Sequence, residues 1–168
     1  MRRFLLLGVS AVLLLVFAAP AAAKRPPRLL LDTASGTQRA LQETFCISYA
    51  TPEGGVDQCA DMLDARPTRF LTVRARETLT FRLRRGVIVR EDPRCHPSCG
   101  AGIAIYRLGD RGRKHFVRTI DLPASPTQFP APRRPGRYEL EAFVGLFMVD
   151  DGREGDTSGS FGIRVSSR

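Results

Sequence analysis

From Thr78 to Arg84 apolar and polar residues alternate without a break. Leu79, Phe81 and Leu83 fall on one side; Thr78, Thr80, Arg82 and Arg84 fall on the other. A period of two marks a half-buried strand, because successive side chains leave a strand on opposite faces. The period returns repeatedly after Pro67. Ala101 to Leu108 sets Ile103 and Ile105 on one face, and the turn signal Gly109-Asp110-Arg111-Gly112 lets His115 to Leu122 return as the second arm of a hairpin. Arg137 to Val149 is the longest stretch, with Tyr138, Leu140, Ala142, Val144, Leu146 and Met148 sharing a face, and Gly159 to Ser166 aligns Phe161, Ile163 and Val165. No helix of convincing length and no internal repeat accompanies these strands. Short strands with turn signals about every 8–12 residues predict an all-β, mostly antiparallel β-sandwich.

The remaining segments are less regular. Arg28 to Asp32, Glu43 to Ala50 and Arg69 to Val73 read as strands, and Arg74-Ala75-Arg76-Glu77 as a short turn. Gln58 to Ala65 reads as a loop or a single helical turn. Pro123 to Pro135 holds five prolines and is expected to be non-helical, with Thr127-Gln128-Phe129 as a short edge strand. Gly152, Gly155 and Gly159 are expected in the loop between the last two strands. The far half of Arg137 to Val149 is apolar on both faces through Phe143 and Phe147, so it is either covered by another element or a partner-binding patch.

The first residues read as an export leader. Arg2 and Arg3 precede an uncharged run from Phe4 to Phe17, followed by Ala18-Ala19-Pro20-Ala21-Ala22-Ala23. That order is a positive region, an apolar region and a small-residue cleavage site, with Pro20 breaking the helix ahead of it. Residues 1–23 are therefore expected to be a signal peptide cut after Ala23, and residues 24–168 a single domain, secreted or held in the cell envelope. The competing reading is a retained anchor, since Phe4 to Ala23 is just long enough to span a bilayer. Once the leader is cut, no membrane span is expected.

Cys46, Cys59, Cys95 and Cys99 all follow the leader, and an even count in an exported chain argues for disulfides. Three pairings are open. Cys46–Cys59 with Cys95–Cys99 is favoured, because Thr51-Pro52-Glu53-Gly54-Gly55 lets the chain double back between the first two and Pro97 turns it between the others. The alternative is a copper or zinc site at Cys95, His96 and Cys99, three soft ligands within five residues. Structural zinc sites need four ligands, and an oxidising compartment converts neighbouring thiols to a disulfide.

The chain carries 26 basic and 17 acidic residues, with two of the former in the leader. Only Lys24 and Lys114 are lysines; the rest are arginines, in a composition rich in Ala, Gly and Pro that fits a GC-rich bacterial genome. A basic surface outside the membrane attracts anionic envelope polymers, lipid headgroups or acidic protein partners. Nucleic acid fits poorly, because the chain is exported, lacks Trp and shows no aromatics interleaved with arginine as stacking platforms.

No catalytic constellation emerges. His96 sits beside expected disulfide cysteines, His115 lies between Lys114 and Phe116 at a strand start, and no G-x-S-x-G occurs. Asp150, Asp151, Glu154 and Asp156 are expected to cluster in the last hairpin loop, but their spacing departs from an EF-hand loop and Arg153 stands among them. The expectation is a non-catalytic module that needs no cofactor and binds an envelope protein or an anionic polymer.

Pro135-Gly136-Arg137-Tyr138-Glu139-Leu140, followed by one more strand, resembles the end of immunoglobulin-like and fibronectin-III-like domains, over residues 68–167. In those folds a Tyr at the start of the penultimate strand bonds back to the preceding corner. The chain departs from true immunoglobulin domains: it has no core Trp, and Leu140 stands where the second disulfide cysteine would be. The segment Thr44-Phe45-Cys46 to Cys59-Ala60-Asp61 also resembles the Cys-containing part of small exported proteins of high-GC bacteria. Neither resemblance carries an activity.

Overall fold

A computed structural model describes residues 27–51, 54–61, 66–84, 87–88, 101–148 and 153–167. The expected leader, its cleavage point at Ala23 and the Cys95-His96-Pro97-Ser98-Cys99 segment lie outside the described residues.

The described chain is all-β. Twelve strands run β1 (Arg28–Thr33), β2 (Gly36–Arg39), β3 (Leu41–Thr51), β4 (Gly54–Asp61), β5 (Phe70–Arg74), β6 (Thr78–Arg84), β7 (Val87–Ile88), β8 (Gly102–Leu108), β9 (Lys114–Asp121), β10 (Thr127–Pro130), β11 (Gly136–Met148) and β12 (Arg153–Ser166). They form two sheets. The smaller has the order β10-β6-β1-β2 and the larger β4-β3-β12-β11-β8-β9, with β7 paired to the far end of β11. Every pairing is antiparallel except one: β5 lies parallel to the second half of β12, Gly162 opposite Phe70 and Val165 opposite Val73.

The alternation read from the sequence is what joins the sheets. Leu79 and Phe81 of β6, Leu29 and Leu31 of β1 and Phe129 of β10 supply one side of a single core. Ile103 and Ile105 of β8, Tyr138 to Val144 at alternate positions of β11, and Phe161, Ile163 and Val165 of β12 supply the other. Phe81 meets Phe161 edge-on across the interface, with ring centroids 6.4 Å apart. At about 25 cal/mol per Å² of apolar surface removed from water, this shared core is the main force holding the sheets together.

The chain changes sheets at the turn expected over Arg74 to Glu77. β5 belongs to the large sheet and β6 to the small one. Arg76 takes φ 62°, and Glu77 N–H donates to the Arg74 carbonyl at 3.1 Å. The Glu77 carboxylate accepts from the backbone N–H groups of Arg74 and Ala34, both at 2.8 Å, and so ties this turn to the β1–β2 turn.

Two expectations need correction. Gln58 to Asp61 is neither loop nor helical turn but part of β4, the outer strand of a hairpin with β3. Gly155 and Gly159 are not in a loop; they lie within β12, paired on one side with β11 and on the other with β3. Glycine there permits close approach: a Cβ on Gly155 would stand 2.0 Å from the Cys46 carbonyl oxygen. On the outward face of β11, Glu139 is only 1% exposed.

Candidate anion-binding groove

The loops at one end of the large sheet enclose a groove of about 1550 Å³. Three segments build it. The β8–β9 turn contributes Gly109 to Gly112, with Asp110–Gly112 as a short 3-10 turn and Arg111 at φ 58°. The β10–β11 connection contributes Pro130 to Arg134. The β5–β6 turn contributes Arg76. Prolines keep the second segment extended, so the arginines at 133 and 134 stand at the surface instead of coiling into a helix.

Charge is the groove's dominant property. Arg76, Arg107, Arg111, Arg118, Arg133, Arg134 and Arg137 line it, with His115, against the single carboxylate of Asp110. Some of these arginines are fixed. Arg118 donates to the Pro130 carbonyl at 2.6 Å and Arg107 to the Pro135 carbonyl at 3.2 Å. The Arg137 guanidinium lies 4.3 Å from the centre of the Phe70 ring. Among the described residues, Arg76, Arg111, Arg133 and Arg134 form no ion pair with a carboxylate. The groove thus combines guanidinium groups fixed on backbone carbonyls or a ring with others that have no carboxylate partner among the described residues, and a guanidinium group suits an oxygen anion in bidentate geometry. Phe116, 62% exposed, adds an apolar contact on its wall.

Tyr138 connects this groove to the core. Its ring is 2% exposed, and its hydroxyl donates to the Arg134 carbonyl at 2.7 Å. This bond holds the arginine-bearing connection against the start of β11.

The other residues singled out from the sequence fall elsewhere. Cys46 and Cys59 stand directly opposite each other in the β3–β4 hairpin and form a disulfide with Cα atoms 4.1 Å apart. Such bonds form and persist in oxidising compartments. Among the described residues no helix is long and apolar enough to cross a membrane. Cys95, His96 and Cys99 lie outside the described residues, so the geometry of the alternative metal set is not part of this structure. Phe143 is 37% exposed on the outer face of β11; the Phe147 side chain lies outside the described ones. His115 is exposed on the groove wall. Glu154 and Asp156 sit in β12, not in a loop, while Asp150 and Asp151 lie outside the described residues. Burial pushes the Asp156 carboxyl up, against a backbone hydrogen bond from Cys46 that favours its charge.

One constellation escaped sequence reasoning. On the outer face of the large sheet, Glu43 of β3 meets Glu139 and Glu141 of β11, their carboxylate oxygens within 4.8 Å of one another. Lys114 of β9 reaches over β8 to pair with both β11 carboxylates, at 2.8 Å from Glu139. Burial opposes the Lys114 charge, but bonding to Glu139 and Glu141 outweighs it and raises the ammonium pKa. Burial pushes Glu43 up, and repulsion from Glu141 and Glu139 adds to the rise. The Tyr106 hydroxyl is raised by burial first and by Glu141 next. No sequence motif signals this cluster, because β3 is separated from β11 by most of the chain and reaches it only through β12.

No protein-family model matches this chain, and no curated protein is significantly similar to it.

Proposed function

We propose that the protein is an exported, non-catalytic module, an immunoglobulin-like β-sandwich that binds an anionic polymer of the cell envelope through its arginine groove. The observation that carries the reading is the charge of the groove: seven arginines face one aspartate. A GC-rich genome explains why the basic residues are arginine and not lysine. It does not explain their convergence on one groove, four from three separated loops and three from strands β8, β9 and β11. The groove's size also exceeds the roughly 300–1,000 Å³ typical of small-molecule pockets, which favours a segment of an extended chain over a compact ligand.

Support for the sandwich class comes from the Tyr138–Arg134 corner bond and from β5 running parallel to the last strand while β6 joins the other sheet. Support for export comes from the Arg2-Arg3 leader and from the Cys46–Cys59 disulfide.

Fluorescence anisotropy of end-labelled polyphosphate tests the reading, with polyglutamate and neutral dextran for comparison. Saturable binding to the purified protein is expected for the polyanions and not for dextran. Affinity should fall steeply with salt, because polyanion binding releases condensed counterions. The triple variant R111A/R133A/R134A should bind at least tenfold more weakly while keeping its thermal stability. Equal binding by the variant would refute the groove as the site.

A further inference from the structure

The outer face of the large sheet carries a cluster of carboxylates apart from the groove. Glu43, Glu139 and Glu141 converge there, half-buried, buried and half-buried in turn. Their placement follows from the topology. Glu141 stands opposite Ser160 of β12, Ser160 stands opposite Leu41 of β3, and Glu43 is two residues on from Leu41, on the same face.

Were all three carboxylates ionised, the single Lys114 ammonium would leave two negative charges uncompensated in a largely desolvated place, and burial with mutual repulsion accordingly pushes Glu43 up. Desolvated charge without a partner is costly, and one dication would balance this deficit. The size also fits. Three oxygens at most 4.8 Å apart can share a centre about 2.8 Å or less from each, within a small adjustment of the 2.3–2.6 Å of calcium–oxygen bonds.

Ser160 gives an independent indication. It is 0% exposed, and its hydroxyl has no hydrogen bond of proper geometry to any described group. It stands directly opposite Glu141 in the β11–β12 register, so both side chains leave the sheet on the face that carries the cluster. A fully buried hydroxyl left unsatisfied beside three carboxylates suits a neutral oxygen ligand to a cation.

We propose that Glu43, Glu139, Glu141 and Ser160 form a binding site for a divalent cation of the calcium class. Lys114 is the competitor at this site. It projects from edge strand β9 with its side chain 31% exposed, so its ammonium can withdraw to solvent as the cation enters. The site would clamp β3 to β11 across β12 and fix the hairpin that carries the disulfide.

Terbium(III) is a suitable probe, because the chain has no Trp and Tyr106 stands beside Glu141 as a sensitiser. Tyrosine-excited terbium luminescence of the purified protein should saturate and be reversed by calcium. Calcium should also raise the melting temperature. E43Q, a substitution at a half-buried position, should weaken terbium binding at least tenfold. Y106F should lose the luminescence but keep the calcium-induced thermal shift. K114A removes the competing ammonium and should bind several-fold more tightly than the native protein. Absence of a saturable signal and of a calcium shift in both native protein and K114A would overturn the site, leaving an ion-pair cluster neutralised by Lys114 alone. A terbium signal unchanged by E43Q would overturn it as well.

Discussion

The Tyr138 hydroxyl donates a 2.7 Å hydrogen bond to the Arg134 carbonyl, four residues upstream. One side chain thereby serves the core, where its ring is buried, and the groove, whose arginine-bearing rim it holds. Tyr138→Phe keeps the ring and removes the bond. The expected loss is about 1 kcal/mol of stability, the usual net worth of one hydrogen bond. Polyanion affinity should fall several-fold as the 133–134 segment loosens. Urea denaturation and anisotropy on the same variant check both.

Gly155 is expected to be the least replaceable residue of β12. A methyl group there would collide with backbone atoms of Cys46 and Ile47, which cannot move as a flexible side chain can. Gly155→Ala should cost more than the roughly 1–3 kcal/mol of ordinary overpacking and should separate β3 from β12. Amide exchange would show loss of protection in β3 and β4 while β8 and β11 stay protected.

Reduction of Cys46–Cys59 should loosen the same hairpin. The two cysteines are 13 positions apart, and closing a loop of this size is worth about 3 kcal/mol in the chain-entropy model. The double variant C46S/C59S should melt at a lower temperature than the native protein under non-reducing conditions. Addition of reductant should not lower the contribution of this pair further in that variant.

Asp32 and Arg82 provide a pH-dependent contribution. Arg82 Nη2 donates to Asp32 Oδ1 at 2.9 Å, and this bond holds the Asp32 carboxyl below its ordinary 3.8, with burial opposing. A depressed carboxylate pKa stabilises the fold above the unfolded value and loses that contribution as pH falls through the folded one. The pair is exposed to solvent, so its contribution at neutral pH is small and falls with added salt. Native protein should exceed Asp32→Asn in stability at pH 7, and the gap should close as the pH falls below the ordinary 3.8 of this carboxyl, by urea denaturation at each pH.

The strands were legible where one face alone meets the core. Leu79 and Phe81, or Ile103 and Ile105, alternate because water lies on their other side. Legibility failed where that condition fails. The first half of β12 is rich in glycine and acid, which reads as loop, yet it is strand because β3 and β11 flank it closely. Glu139 is buried beside Lys114, with which it pairs, and no local pattern marks it as buried. The groove was legible only as an excess of arginine, because its seven arginines are spread from position 76 to 137 and only the packing of three loops against the ends of β8, β9 and β11 gathers them. The second cluster depends on β3 lying beside β12, a long-range pairing that local patterns do not encode.

Two-dimensional amide NMR of the purified protein, titrated with polyphosphate, tests the central claim most directly. The groove reading predicts shifts concentrated at Gly109 to Gly112, Ala131, Arg133, Arg134 and Gly136, reduced in R111A/R133A/R134A. Shifts spread over Arg28, Arg39 and Arg82 on the other sheet, or no shifts at low salt, would contradict it.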